Sequence, residues 1–176
     1  MSSEKNIRFT NLDRRETEKL TGQVMDFIDL MVDKSPAYWH KLKQDPMDVL
    51  DEMVQSNVFV RSYLPGTGRI IELDQWAKVD ANALITIFGL LRYRSVEGSF
   101  PTSLEKLVQA RYIETLPIDP YSDKPLIYRL KGDSFLLYSI AEDFDDDGGM
   151  YSKWGRDQEG GDQVFWPINQ SLTETR

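Results

Sequence analysis

Near the start of the chain, Leu20, Val24, Phe27, Ile28 and Met31 recur at helical spacing. That period predicts an amphipathic helix ending near Val32, with Asp13 and Glu16 as a capping box. Ser35-Pro36 and Asp45-Pro46 each join an N-cap residue to a proline at the first helical position. They predict two short helices, one carrying Tyr38, Trp39 and Leu42, the other Val49, Leu50, Met53 and Val54. Residues 58–64 are β-branched and aromatic, Pro65-Gly66-Thr67-Gly68 is turn-like, and 69–73 alternate, which predicts a hairpin. Asp74 then caps the longest helix, about 75–96. Its apolar positions (Trp76, Val79, Ala83, Leu84, Ile87, Leu90, Leu91) cover more than one stripe, so it is expected to be the central, largely buried element.

Further along, Gly98 suits a helix C-terminus, and Thr102 with Glu105 is a second capping box, opening a helix with Leu104, Leu107 and Val108. Leu116-Pro117 and Asp119-Pro120 mark an ordered loop. Strands are expected at 126–130 and 134–140 around Lys131-Gly132-Asp133, with a third at 163–166. The expected fold is α+β: helices, then a long central helix packed on a small antiparallel sheet. Residues 1–74 form an N-terminal helical region with the hairpin, and 75–168 an α+β domain whose acidic loop spans 141–162. Residues 169–176 form a polar tail.

Composition narrows the class. At 176 residues, 40% hydrophobic and 11% aromatic, the chain can bury an ordinary core. Its net charge of -8 argues against a nucleic-acid surface. It has no cysteine, so thiolate metal sites and disulfides are excluded. No apolar run is long enough to span a bilayer. The polar N-terminus has no signal-peptide pattern, so the chain reads as soluble as written.

The charge is concentrated. From Ala141 to Asp162 there are eight acidic and two basic residues, a net of -6. Asp143, Asp145 and Asp147 form D-x-D-x-D-G with Gly148, and Asp162 returns just before the closing strand. Calcium takes six to eight oxygens, which alternating Asp residues in a tight glycine-rich loop supply. The match to an EF-hand stops at Trp154, where that motif needs a bidentate Glu. The candidate ligands are therefore Asp143, Asp145, Asp147 and Asp162, in a strand-borne calcium loop rather than an EF-hand. A solvated acidic turn and a pair of acid/base carboxylates are the alternatives.

Other motifs are weaker. His40 is the lone histidine, which removes the usual base of Ser-His systems and the usual ligands of zinc. Gly66-Thr67-Gly68-Arg69 lacks the rest of a phosphate loop, and Leu64-Pro65-Gly66-Thr67-Gly68 fits a sortase signal in the wrong context. Trp154 and Trp166 are expected to pack beneath the loop.

An ordered series in the second half carries a resemblance: Leu91-Arg92-Tyr93-Arg94, then Glu97-Gly98-Ser99-Phe100-Pro101, then Leu116-Pro117-Ile118-Asp119-Pro120-Tyr121, then Tyr138-Ser139, then the acidic loop. Over roughly 80–167 the chain resembles the C-terminal domain of the major, G-type pseudopilin of type II secretion systems. The resemblance implies a calcium loop beginning at Asp143 and closing at Asp162, four residues before Trp166. The family's apolar N-terminal helix has no counterpart in 1–74; Arg8-Phe9-Thr10 is followed by polar residues.

The expected function is a non-enzymatic, calcium-stabilised, pseudopilin-like module for assembly or protein–protein contact at a bacterial cell envelope. A location on the periplasmic side follows if the loop binds calcium and the chain is a fragment. The alternatives are a metal-dependent hydrolase using the same cluster, and a cytoplasmic adaptor acting through its N-terminal helices.

Overall fold

The computed structural model describes residues 14–43, 48–50, 52, 67–150 and 161–167. Asp13, the Asp45-Pro46 cap, the expected strand 58–64, loop residues 151–160 with Trp154, and the tail 169–176 lie outside them. The protein is α+β, with helices and small antiparallel sheets.

Helix α1 (Arg14–Asp33) follows the predicted period. It buries Val24 and Met31, and Val24 packs with Leu50 from the helical residues 48–50. Helix α2 (Pro36–Leu42) starts as its sequence dictates: the Ser35 side chain accepts from the Tyr38 amide, and Pro36 occupies the first turn. It ends at Lys43 in the left-handed region. Contacts fasten α2 to a distant turn. The Ala37 amide donates to the Pro120 carbonyl, while Ser35 Oγ and Lys41 Nζ donate to the Asp123 carboxylate at 2.7 and 2.8 Å.

Helix α3 (Thr67–Glu97) is longer than predicted. Its first two turns take up residues 69–73, so these are not a strand of a hairpin, and Asp74 is an interior residue, not an N-cap. Side chains reaching along the helix account for this. Arg69 pairs with Glu72 and lies over the Trp76 ring, and Lys78 pairs with Asp74 one turn back. Nor is α3 largely buried. Val79, Ala83, Thr86 and Leu90 face the core, whereas Leu84, Ile85 and Phe88 are exposed. Gly89 is needed for close packing, because a Cβ there would stand 3.0 Å from Ile113 Cγ2. Helix α4 (Glu105–Gln109) begins later than the Thr102–Glu105 box predicts. Its N-cap is Leu104, without a side-chain cap.

Strands β1 (Ile118–Asp119) and β2 (Lys124–Pro125) form a two-residue ribbon. Strands β3 (Ile127–Lys131), β4 (Ser134–Ser139) and β5 (Gln163–Trp166) form an antiparallel sheet in that order. Lys131 pairs with Ser134 across Gly132-Asp133. Gly132 has φ +57°, as the first position of a type II′ turn requires.

Strand β4 does not alternate, because both its faces are covered: residues 135–139 are all buried. Phe135 and Leu137 join Val79, Ala83 and Leu90 of α3 in the main core. Each of these side chains larger than alanine contributes about 2 kcal/mol by leaving water. Leu136 and Tyr138 face the other way and meet the acidic loop at Gly149 and Asp146. The loop is thus a lid on the second face of the central strand.

Candidate metal centre

The acidic loop leaves β4 through a fixed exit. Ser139 is fully buried; its Oγ accepts from the Ala141 amide and donates to Asp119 Oδ2 at 2.9 Å. One turn of 3-10 helix (Ala141–Asp143) follows and ends at Phe144 with φ +61°. His40 of α2 stacks on the Phe144 ring at 4.0 Å, and the Trp76 indole donates to Glu142. The loop entrance is therefore held by α2, α3 and β4 together.

Carboxylates then turn the backbone one step at a time. Asp143 Oδ1 accepts from the Asp145 amide, Asp145 Oδ1 from the Asp146 amide, and Asp146 Oδ1 from the Gly148 amide. Short polar side chains bonding to nearby amides stabilise such turns in place of regular structure. Asp146 also accepts from Tyr138 OH at 2.7 Å and pairs with Arg129. The Tyr138 hydroxyl, then the Gly148 amide, hold Asp146 below the usual carboxylate range. Burial, then Asp146, push the Tyr138 phenol up to about 12. Gly148 and Gly149 have φ of +76° and +85°, and a Cβ at Gly149 would stand 2.5 Å from Leu136 Cδ2.

Asp162 closes the loop from its far end. Its amide donates to the Met150 carbonyl, and Oδ2 accepts from the Gly149 amide at 2.6 Å. The residue is 0% exposed, yet Oδ1 has no hydrogen-bond partner among the described residues. Burial raises its pKa; the Gly149 amide opposes this, Asp146 and Asp147 add repulsion, and the Asp147 amide makes a weaker favourable contact. A buried carboxylate oxygen without a donor is costly.

Of the expected ligands, the structure brings Asp147 near Asp162, while Asp143 and Asp145 are exposed and bonded to amides. Among the described residues, no three His, Asp or Glu side chains form a group that could hold a metal ion. The one feature that would suit a hard cation is the buried Oδ1 of Asp162, which no donor among the described residues satisfies, with the Asp147 carboxylate near enough to repel it.

Two Asp residues were missed at the sequence level. Asp146 anchors the loop to the sheet; the visible signal was an Asp two residues before a Gly. Asp119 is 1% exposed and fully used. Its Oδ1 accepts from the Tyr121 amide, and its Oδ2 from Ser122 Oγ and Ser139 Oγ. Its signal was the Asp-Pro pair.

No protein-family model, curated protein or solved structure matches this chain. Among the described residues, no helix is long and apolar enough to cross a membrane.

Proposed function

We propose that this chain is a calcium-stabilised, pseudopilin-like module for assembly or protein–protein contact at a bacterial cell envelope, of the kind used in type II secretion. The observation that carries the metal part is Asp162: fully buried, with one carboxylate oxygen lacking a donor among the described residues, beneath a loop of net charge -6. Asp162 and Asp147 would hold the ion, with Asp143 and Asp145 as further candidates. Calcium would supply charge neutralisation and cross-linking of the loop, not catalysis. The described loop carboxylates mostly shape backbone turns, which suits a structural role better than paired acid and base.

An ion that binds only the folded loop stabilises by RT ln(1 + [Ca]/Kd), about 2.7 kcal/mol at a hundred times Kd. Thermal unfolding in excess EDTA and in excess calcium tests this. Calcium should raise the wild-type midpoint by several degrees, by roughly 2–4 °C per kcal/mol at this size. The Asp143→Ala, Asp162→Ala double variant should not respond. A wild-type midpoint indifferent to both additions would refute the metal part.

A further inference from the structure

The entrance of the acidic loop is strained, and α2 is part of what holds it. Ala141 and Phe144 have φ of +56° and +61°. Neither is a glycine, and for a side chain as bulky as Phe the left-handed region is an outlier. Such residues persist only where the surroundings fix them. Two rings do so at Phe144. His40 stacks on it at 4.0 Å with an interplanar angle of 15°, and Tyr121 meets it edge-on at 6.1 Å. Tyr121 belongs to the main core, and His40 does not.

Among the described residues, the main core takes none of its members from α1 or α2. Trp39 of α2 packs edge to face on Phe27 of α1 instead, at 5.8 Å. Helix α2 reaches the turn after β1 through the Ala37 amide and through Ser35 and Lys41 on Asp123. The Lys41 and Asp123 side chains are 64 and 38% exposed. An exposed pair of this kind holds weakly, and a helix of seven residues has little stability of its own.

We infer that α2 is a releasable latch on the acidic loop. Docked, it lays His40 on Phe144 and keeps the left-handed step between Asp143 and Asp145. Released, it takes one of the two rings from that step, and the carboxylate-to-amide turns that follow lose their fixed start. The coupling runs both ways. A partner that takes hold of α2 loosens the loop, and whatever orders the loop tightens α2. The latch stands without an ion; only its effect on calcium rests on the metal reading above.

Hydrogen exchange of the full chain in EDTA reads the latch segment by segment. Lys41→Glu turns attraction to Asp123 into repulsion, at a turn outside the acidic loop. Exchange should rise about fivefold or more in α2 and at the amides of Asp145, Asp146, Gly148 and Gly149, which are hydrogen-bonded in the loop. Strand β4 and the core-facing part of α3 should exchange as in the wild type. His40→Ala should loosen the same loop amides. An α2 that stays protected in Lys41→Glu would show that it is not releasable. A freed α2 over an unchanged loop, or an unchanged loop in His40→Ala, would show that it does not hold the loop. Faster exchange throughout β4 and α3 would reduce the effect to general destabilisation. Each of these results would overturn the latch. Repeating the experiment in calcium separates the two readings. A chain that shows the latch but ignores calcium refutes only the metal part; a calcium response equal in wild type and Lys41→Glu refutes only the latch.

Discussion

Two buried aspartates flank β4, and they are solved differently. Asp119, the last residue of β1, is 1% exposed and receives one amide and two hydroxyl hydrogen bonds over both oxygens. Asp162, at the end of the acidic loop, is 0% exposed and has one oxygen satisfied and one without a partner among the described residues. Burial raises the pKa of both. The first is a finished piece of architecture, in which donors from the turn and from Ser139 of β4 converge on one carboxylate. The second is incomplete with the described protein donors alone, which is why a cation is proposed there and not at Asp119.

The largest expected effect comes from breaking the finished site. Asp119→Ala leaves the Tyr121 amide and the hydroxyls of Ser122 and Ser139 without their acceptor, and it loosens the loop exit at Ala141. The expected loss is about 3 kcal/mol, the same in calcium and in EDTA. Urea unfolding in both conditions checks it, and a loss confined to one condition would make Asp119 part of the metal site.

Gly149→Ala should come next, at about 2 kcal/mol. The new Cβ collides with Leu136, and the backbone stays in a region unfavourable to alanine. Calcium should recover little of this loss, because the collision is with the sheet. Recovery by Leu136→Ala in the double variant would identify the clash as the cause; a double variant no better than additive would reject it.

Asp162→Asn should have a smaller effect without metal. It keeps an acceptor for the Gly149 amide and removes a buried charge, so stability in EDTA should change by less than about 1 kcal/mol. The calcium response, by contrast, should vanish. Asp162→Asn therefore separates the two aspartates more cleanly than any alanine: one is needed always, the other only when the ion is present. Calcium titrations followed by melting would contradict this if the variant still responded.

Local chemistry was legible where the cause lay within a few residues. The Ser35-Pro36 cap, the period of α1, the Gly132-Asp133 turn and β5 all follow from near neighbours. Failures came where the cause lay farther off. Residues 69–73 alternate like a strand, but Arg69 contacts both Glu72 and Trp76 in the helical form, so they belong to α3 and not to a hairpin. The apolar circumference of α3 suggested full burial, whereas only one face has a partner among the described residues. In the site, the run of aspartates advertised negative charge but not its division of labour. That Asp146 bonds Tyr138, and that Asp162 is buried with one oxygen unsatisfied among the described residues, depends on how β4 is covered from both sides.

The smallest expected effect is in pH, and its sign follows from burial. Asp119 has its folded-state pKa raised above the unfolded value of about 3.9. Between those two values the folded chain holds more protons than the unfolded one, so this group's contribution to stability grows as pH falls and shrinks as pH rises. Asp146, whose pKa is lowered, acts in the opposite sense: it contributes above the unfolded value and loses that contribution as pH falls below it. Comparing wild type with Asp119→Asn in EDTA cancels Asp146, because both chains carry it. The wild type should gain on the variant as pH falls from neutral toward the unfolded value of about 3.9. A constant difference over that range, or a gain in the other direction, would mean that the hydrogen bonds from Tyr121, Ser122 and Ser139 outweigh burial, and that Asp119 is held as a stable anion.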